Sequence, residues 1–308
     1  MESGTEGEFD LIARFFSGLD RGFAVSLGNG DDAAVLEPPE GEQIVTSTDT
    51  MVCGVHFPTG ADAHLIAYRA VAAATSDLAA MGATPLACLL SLVIDKADSR
   101  WLDDFRQGLS RAVNAFAIPL VGGDLARGPL TITVQVLGSV PRGAGLTRGG
   151  AGVGDLLCVS GTLGGAAAGL AVCQGKLELP ANAADAVLDR FWKPRPALAL
   201  GAALRGVASA AIDISDGLLS DAGHLASASG LAVKVRSDLV PLLPELRDYV
   251  PREQALLWGL TGGEDFELCF ALPAGMPVPA GCVTVGQFQE GKGVSCDMAI
   301  DQIGYRHF

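Results

Sequence analysis

Five acidic turns restrict the folding of this 308-residue chain more than any other feature. The densest is Gly28-Asn29-Gly30-Asp31-Asp32, and the apolar Ala33-Ala34-Val35-Leu36 that follows is short enough to be a buried strand. The others are Thr48-Asp49, Ser76-Asp77, Gly123-Asp124 and Asp213-Ile214-Ser215-Asp216. Each carboxylate follows a strand end, a glycine turn or a small-residue helix face. Two carboxylates about 4 Å apart repel by ~4 kcal/mol at an effective dielectric near 20. Folds that enclose several of them without a cation, a proton or donors are therefore excluded. Caps and turns explain any one of these aspartates singly. Taken jointly, with hydroxyls at Ser47, Thr48, Ser76 and Ser215, they form an oxygen donor set suited to Mg²⁺, which usually also holds substrate phosphates.

The totals narrow the class. A hydrophobic fraction of 49% with 18% charged residues describes a folded protein, and the length suffices for two domains. Lys+Arg 21 against Asp+Glu 35 gives a net charge of −14, which argues against nucleic-acid or anionic-membrane partners. Seven cysteines without C-x-x-C spacing point to reduced thiols in a cytoplasmic protein rather than to disulfides or zinc. The acidic N-terminus does not read as a signal peptide, and neither long uncharged run, Leu78 to Ile94 or Leu156 to Gly175, reads as a membrane span.

Periodicity orders the rest. Thr5-x-x-Glu8 is a capping box for a first helix carrying the stripe Phe9, Ile12, Ala13, Phe16. Gln43 to Thr48 reads as a strand with Thr48-Asp49 at its end. Asp62 caps a helix to about Met81, on which Ile66, Ala70, Ala73 and Asp77 share a face, so Asp77 needs a partner. Pro85 to Ile94 is a buried strand. Trp101, Phe105, Leu109, Val113 and Phe116 mark a helix. Ile118 to Val121 is a short strand ending in Gly122-Gly123-Asp124, and Leu130 to Val140 is another. The expected fold is α/β with mixed layers, in two domains of residues 1–141 and 142–308. The second domain restarts at Leu156 to Ser160, and Ala210 to Ile214 is a strand whose end carries Asp213 and Asp216.

Two nucleotide-like patterns fail on context. Gly28-x-Gly30-x-x-Ala33 has the letters of a dinucleotide fingerprint, but it carries two aspartates and precedes a strand-like segment. Gly286-x-x-x-x-Gly291-Lys292 lacks the Ser/Thr of a P-loop and runs into a strand-like segment. Gly161 to Gly165, between a strand and a helix, reads as a tight turn or a phosphate cradle. Gly262-Gly263-Glu264-Asp265 is one more acidic glycine turn. No Gly-x-Ser-x-Gly is present, and phosphoryl transfer needs no covalent nucleophile.

The chain resembles the thiamine-monophosphate kinase family, in the superfamily of aminoimidazole ribonucleotide synthetase and selenophosphate synthetase. The matching stretches run in order from Gly7-Glu8-Phe9 through Gly30-Asp31-Asp32-Ala33, Ser47-Thr48-Asp49-Thr50, His56-Phe57, Ser76 to Ala83, Gly122-Gly123-Asp124, Arg127-Gly128-Pro129, Leu146-Thr147-Arg148, Asp213 to Gly217 and Gly262 to Asp265, ending at Gly304-Tyr305-x-His307-Phe308. The resemblance implies a two-domain aminoimidazole ribonucleotide synthetase-like fold, in which the first domain binds metal and ATP and forms a homodimer. It implies ATP-dependent, in-line phosphorylation of thiamine monophosphate to thiamine diphosphate. Asp32, Ser47, Thr48, Asp49, Asp77, Asp124, Asp213 and Asp216 would hold Mg²⁺, with Asp124, Asp213 and Asp216 at the chemistry. Gly123, Asp124, Arg148 and Ser215 would contact ATP; His56 and Glu264 would contact the thiamine phosphate. Gln302 stands where the family carries an aromatic substrate contact, and Tyr305 is the nearby alternative. Two other readings use the same residues: another synthetase of the superfamily, or an acidic cation-binding module that senses nucleotide without turnover.

Overall fold

The computed structural model describes residues 7–301 and 303–305, which fall into two compact α/β units. One unit comprises the chain up to Leu78 together with Thr84–Arg142, and the other comprises Ala79–Ala83 and everything from Gly143 onward.

In chain order, the first unit carries α1 (Glu8–Phe15), β1 (Val25–Leu27), β2 (Val35–Leu36), β3 (Glu42–Val52), α2 (Ala63–Ala80, whose last two residues group with the second unit), β4 (Thr84–Ile94), α3 (Ser99–Phe116), β5 (Leu120–Arg127) and β6 (Thr131–Pro141). Its main sheet has the order β3-β6-β4-β5, antiparallel except for the parallel β4–β5 pair. Strand β3 is rich in β-branched residues and pairs with β6 without a break, from Glu42 opposite Pro141 to Val52 opposite Thr131. Helix α2 buries Ile66, Ala70 and Ala73 as its spacing predicts. Helix α3 buries Phe105, Leu109, Val113 and Phe116, and the Asp98 carboxylate caps it by accepting the N–H groups of Arg100 and Trp101 at 3.0 Å.

Three local expectations need correction, and a fourth falls outside the described residues. The Ala33–Leu36 segment is not a buried strand: only Val35 and Leu36 pair, with β1 in a separate ribbon, and Val35 is 48% exposed. Thr48 and Asp49 do not end a strand, because the alternation of threonines carries β3 on to Val52. Asp124 does not follow a strand either. It lies inside β5, which continues through the two glycines. At Gly123 (φ 153°) a Cβ would sit 1.8 Å from the Leu90 carbonyl oxygen, so glycine here permits close backbone approach rather than a turn. Finally, Thr5 lies outside the described residues; Gly7 precedes α1, and its N–H is accepted by Asp10 Oδ2 at 3.1 Å.

The second unit carries β7 (Leu156–Ser160), α4 (Gly165–Cys173), α5 (Ala181–Trp192), α6 (Leu198–Leu204), β8 (Ala210–Asp213), α7 (Leu218–Ser229), β9 (Ala232–Val235), a 3-10 turn (Ser237–Leu239), α8 (Pro244–Tyr249), α9 (Arg252–Thr261), β10 (Leu268–Leu272), β11 (Cys282–Gln289) and β12 (Gly293–Cys296). These strands form a sheet in the order β12-β9-β11-β7-β10-β8, antiparallel except for β12–β9. Leu157, Val159, Ile212 and Val285 pack with Leu218, Ala222 and Leu225 of α7. Alternation sends Cys158, Ala211, Leu268 and Phe270 into a second cluster. Strand β8 is the sheet edge, and its last residue is Asp213. Among the described residues, no helix is long and apolar enough to cross a membrane.

Candidate active site

In the first unit, strand alternation divides the expected metal ligands into two groups. Val45, Ser47, Asp49 and Met51 share one face of β3, and Ser47 Oγ donates to Asp77 Oδ2 of α2 at 2.5 Å. The partner that Asp77 requires is therefore Ser47. Thr48 projects from the opposite face with Thr46 and Thr50, which are exposed. The ladder carries that face across the sheet: Thr50 opposes Thr133, Thr133 opposes Ser91, and Ser91 opposes Asp124. Asp124 thus stands on the face of Thr48, away from Ser47 and Asp49. Thr48 and Asp124 lie on the two edge strands, three strand spacings or about 14 Å apart.

The loop that carries Asp32 is pinned from below. Asn29 N–H donates to Asp20 Oδ2 at 3.1 Å, and Asn29 Nδ2 donates to the Leu120 carbonyl at 2.9 Å. Asp31 Oδ1 accepts the Asp32 N–H at 2.8 Å, so Asp31 shapes the turn and leaves the Asp32 carboxylate exposed. No helix follows this loop, as the rejection of the dinucleotide fingerprint requires. Beside it, a cleft of about 340 Å³, open to solvent, is walled by Ile12, Phe16, Leu90, Leu92, Leu120 and Leu125 and edged by Asn29, Gly123 and Asp124. His56 sits just after β3, where its Nδ1 accepts the Val52 N–H at 3.0 Å. That bond leaves Nε2 as the donor of the neutral ring.

In the second unit the structure brings Asp213, Ser215, Asp216 and Glu264 together. Beyond β8, the chain from Ile214 to Ser215 runs beside Glu264 to Glu267. Ile214 N–H donates to the Glu267 carbonyl (2.8 Å), Phe266 N–H to Ile214 (2.9 Å) and Glu264 N–H to Ser215 (2.8 Å). Asp221, in the first turn of α7, accepts the N–H groups of Ser215, Asp216 and Gly217 with one oxygen, each at 3.1 Å. Burial first, and then the negative charges of Asp213 and Asp216, push the Asp221 carboxyl up to about 8. Gly217 closes the turn at φ 121°, where a Cβ would meet Thr261 at 2.8 Å. Atoms of Asp216, Asp221 and His224 lie within 4.8 Å of one another. Tyr305 N–H reaches the Asp216 carbonyl at 3.0 Å, while Gln302 lies outside the described residues. Arg148 is exposed, next to Thr147, whose carbonyl accepts the Ala211 N–H of β8.

Most amides of the turn at Gly161–Gly165 are already taken, Gly161 N–H by the Gly281 carbonyl and Leu163 N–H by the Pro241 carbonyl. Asp265 takes the N–H groups of Gly164 (2.7 Å) and Ala166 (3.0 Å). Next to it, Glu267 accepts from Ser160 Oγ at 2.5 Å and from Arg190 at 3.1 Å. The sequence signalled Asp221 only weakly, as an acid in the first turn of an apolar helix. Nothing in the letters marked Asp265 as buried.

Comparison with known proteins gives the following. Residues 30–140 match the AIR synthase related protein N-terminal domain, and residues 152–276 match the corresponding C-terminal domain. The thiamine-monophosphate kinase of Escherichia coli (strain K12) is 46% identical over 273 residues, covering 87% of this chain and 83% of that protein. The crystal structure of thiamine-monophosphate kinase from Stenotrophomonas maltophilia K279a is similar at a TM-score of 0.84 and 39% identity, covering 89% of this chain and 92% of the other. AaThiL complexed with AMPPCP and TMP is similar at a TM-score of 0.80 and 30% identity, covering 88% and 89%.

Proposed function

The chain belongs to the AIR synthase related family, in its thiamine-monophosphate kinase branch, and from that premise we propose that it transfers the terminal phosphoryl group of ATP to thiamine monophosphate, yielding thiamine diphosphate and ADP. The observation that carries this reading is the backbone ladder in the second unit. It holds Ser215 and Asp216, of the nucleotide and metal motif, against Glu264, of the acceptor motif. AaThiL binds AMPPCP and TMP together, and its fold matches over most of this chain.

The donor set fits Mg²⁺. Ser47, Asp49 and Asp77 gather oxygen ligands on one face of the first unit's sheet, with Thr48 and Asp124 on the other and Asp32 on its pinned loop. In the second unit, burial first and then the charges of Asp213 and Asp216 raise Asp221, and that local excess of negative charge is what a divalent cation at Asp213 and Asp216 would offset. We assign metal binding to these eight residues. Bound Mg²⁺ supplies neutralisation of the phosphate charge. The chain itself positions the substrates. The apolar cleft beside Gly123 and Asp124 suits the adenine ring, and the exposed Arg148 guanidinium and the Ser215 hydroxyl suit ATP oxygens. His56 offers Nε2–H to the thiamine phosphate, and Glu264 offers a carboxylate to its cationic end. No nucleophilic side chain is required, so the transfer is direct and in line. We further assign the enzyme to the cytoplasm, where buried thiols such as Cys88 and Cys269 stay reduced, and to a homodimer.

A coupled assay of ADP release tests the reading. Release must depend on thiamine monophosphate; tight Mg²⁺-ATP binding without such turnover identifies a nucleotide sensor instead. Asp124→Asn is expected to cut turnover by roughly 10²-fold or more with an unchanged circular dichroism spectrum. Unchanged turnover removes Asp124 from the chemistry.

A further inference from the structure

Two non-glycine residues of the second unit, Glu264 (φ 68°) and Phe266 (φ 51°), hold left-handed backbone conformations. Such a conformation costs an L residue about 1–2 kcal/mol and persists only where its surroundings impose it. The residue between them is Asp265, which is 8% exposed. Its two oxygens take the N–H groups of Gly164 and Ala166, at the start of α4. The main chain on either side is tied elsewhere, Glu264 N–H to Ser215 and Phe266 N–H to Ile214. The side chain of Asp265 therefore anchors the segment to α4, while its flanks are anchored to the Ile214–Ser215 strand. Glu267 adds a second anchor through Ser160 and Arg190. Held along both lines, the chain must twist at Glu264 and again at Phe266.

We propose that Asp265 is a positioning residue for acceptor recognition: its clamp on the start of α4 imposes the left-handed turn that fixes where the Glu264 carboxylate leaves the backbone. The role rests on the assignment of Glu264 to thiamine monophosphate. Asp265 itself touches no substrate. Its loss lets Glu264 relax into ordinary backbone conformations, and a displacement of about 1 Å is enough to cost a site much of its effect.

Steady-state kinetics of Asp265→Asn in the full chain, varying each substrate in turn, tests this. One amide face of asparagine opposes an N–H donor, so the clamp is half lost at equal volume. The expected result is a rise of about tenfold or more in KM for thiamine monophosphate, with KM for ATP within about twofold. If both constants stay unchanged, or both rise together alongside a lowered melting temperature, the clamp is merely structural and the proposal is overturned. Should Asp265→Asn not fold, Asp265→Ser, whose hydroxyl can still cap one N–H, is read by the same criteria. A wild-type chain inactive on thiamine monophosphate defeats the functional reading itself, an outcome distinct from an active wild type with indifferent variants.

Discussion

At the scale of single residues, the half-buried Asp77 and the buried Asp221 and Asp265 divide by what they touch. Asp77 finds a hydroxyl, Asp221 finds three N–H groups and Asp265 finds two. For Asp265 the burial outweighs the donors. Its carboxyl is pushed up to about 7 by desolvation, against the pull of the Ala166 and Gly164 amides and the Arg190 charge, with Glu267 pushing the same way as burial. A folded value above the ordinary 3.8 of an aspartate means that folding takes up a proton. The resulting stability is fully present below about pH 3.8 and drains away as pH rises through about 7. Melting temperature followed from pH 4 to 8 should therefore fall more steeply in the wild type than in Asp265→Asn. Parallel profiles would show that this carboxyl does not govern the slope.

At the scale of elements, the acid in the first turn of α7 shapes the loop before it. Asp221→Ala leaves the Ser215, Asp216 and Gly217 amides without their shared acceptor. Turnover should fall by about 10- to 100-fold, while equilibrium denaturation shifts by only about 1–3 kcal/mol. Wild-type turnover in that variant would mean that the loop holds its form without that acceptor.

Helix α3 was legible from its spacing, because burial of one face writes itself into the sequence, whereas α2, buried on nearly every side, was marked by its long run of small apolar residues after Asp62. The turns around Asp124 and Asp49 were misread, since glycine and aspartate suggest a break when read alone. Here Gly123 serves backbone contact inside a paired strand. The segregation of Ser47 from Asp124 was equally hidden, because it depends on cross-strand register. Chemical type was readable in the letters; three-dimensional grouping was set by pairing between distant segments.

At the scale of the whole molecule, the first unit's sheet shows a face bearing Ile44, Thr46, Thr48 and Thr50, with Ile44 48% exposed, on a long edge strand. Such an edge is ordinarily covered. With Thr48 and Asp124 about 14 Å apart, one ion with ligand bonds near 2.1 Å cannot join them within a single chain. Sedimentation equilibrium should return twice the chain mass, and Ile44→Lys should shift the population toward monomer. A monomeric wild type at micromolar concentration would remove the dimer from the reading.

The ladder joining Ile214–Ser215 to Glu264–Phe266 also sets a clock. Its donors belong to segments remote in sequence, yet no one of these amides can meet solvent unless the two segments part. In deuterated water the Ile214, Glu264 and Phe266 amides should thus exchange at one shared rate, that of a single opening event, rather than at three separate ones. The time for which that opening lasts bounds how briefly the nucleotide motif and the acceptor motif ever lose sight of each other.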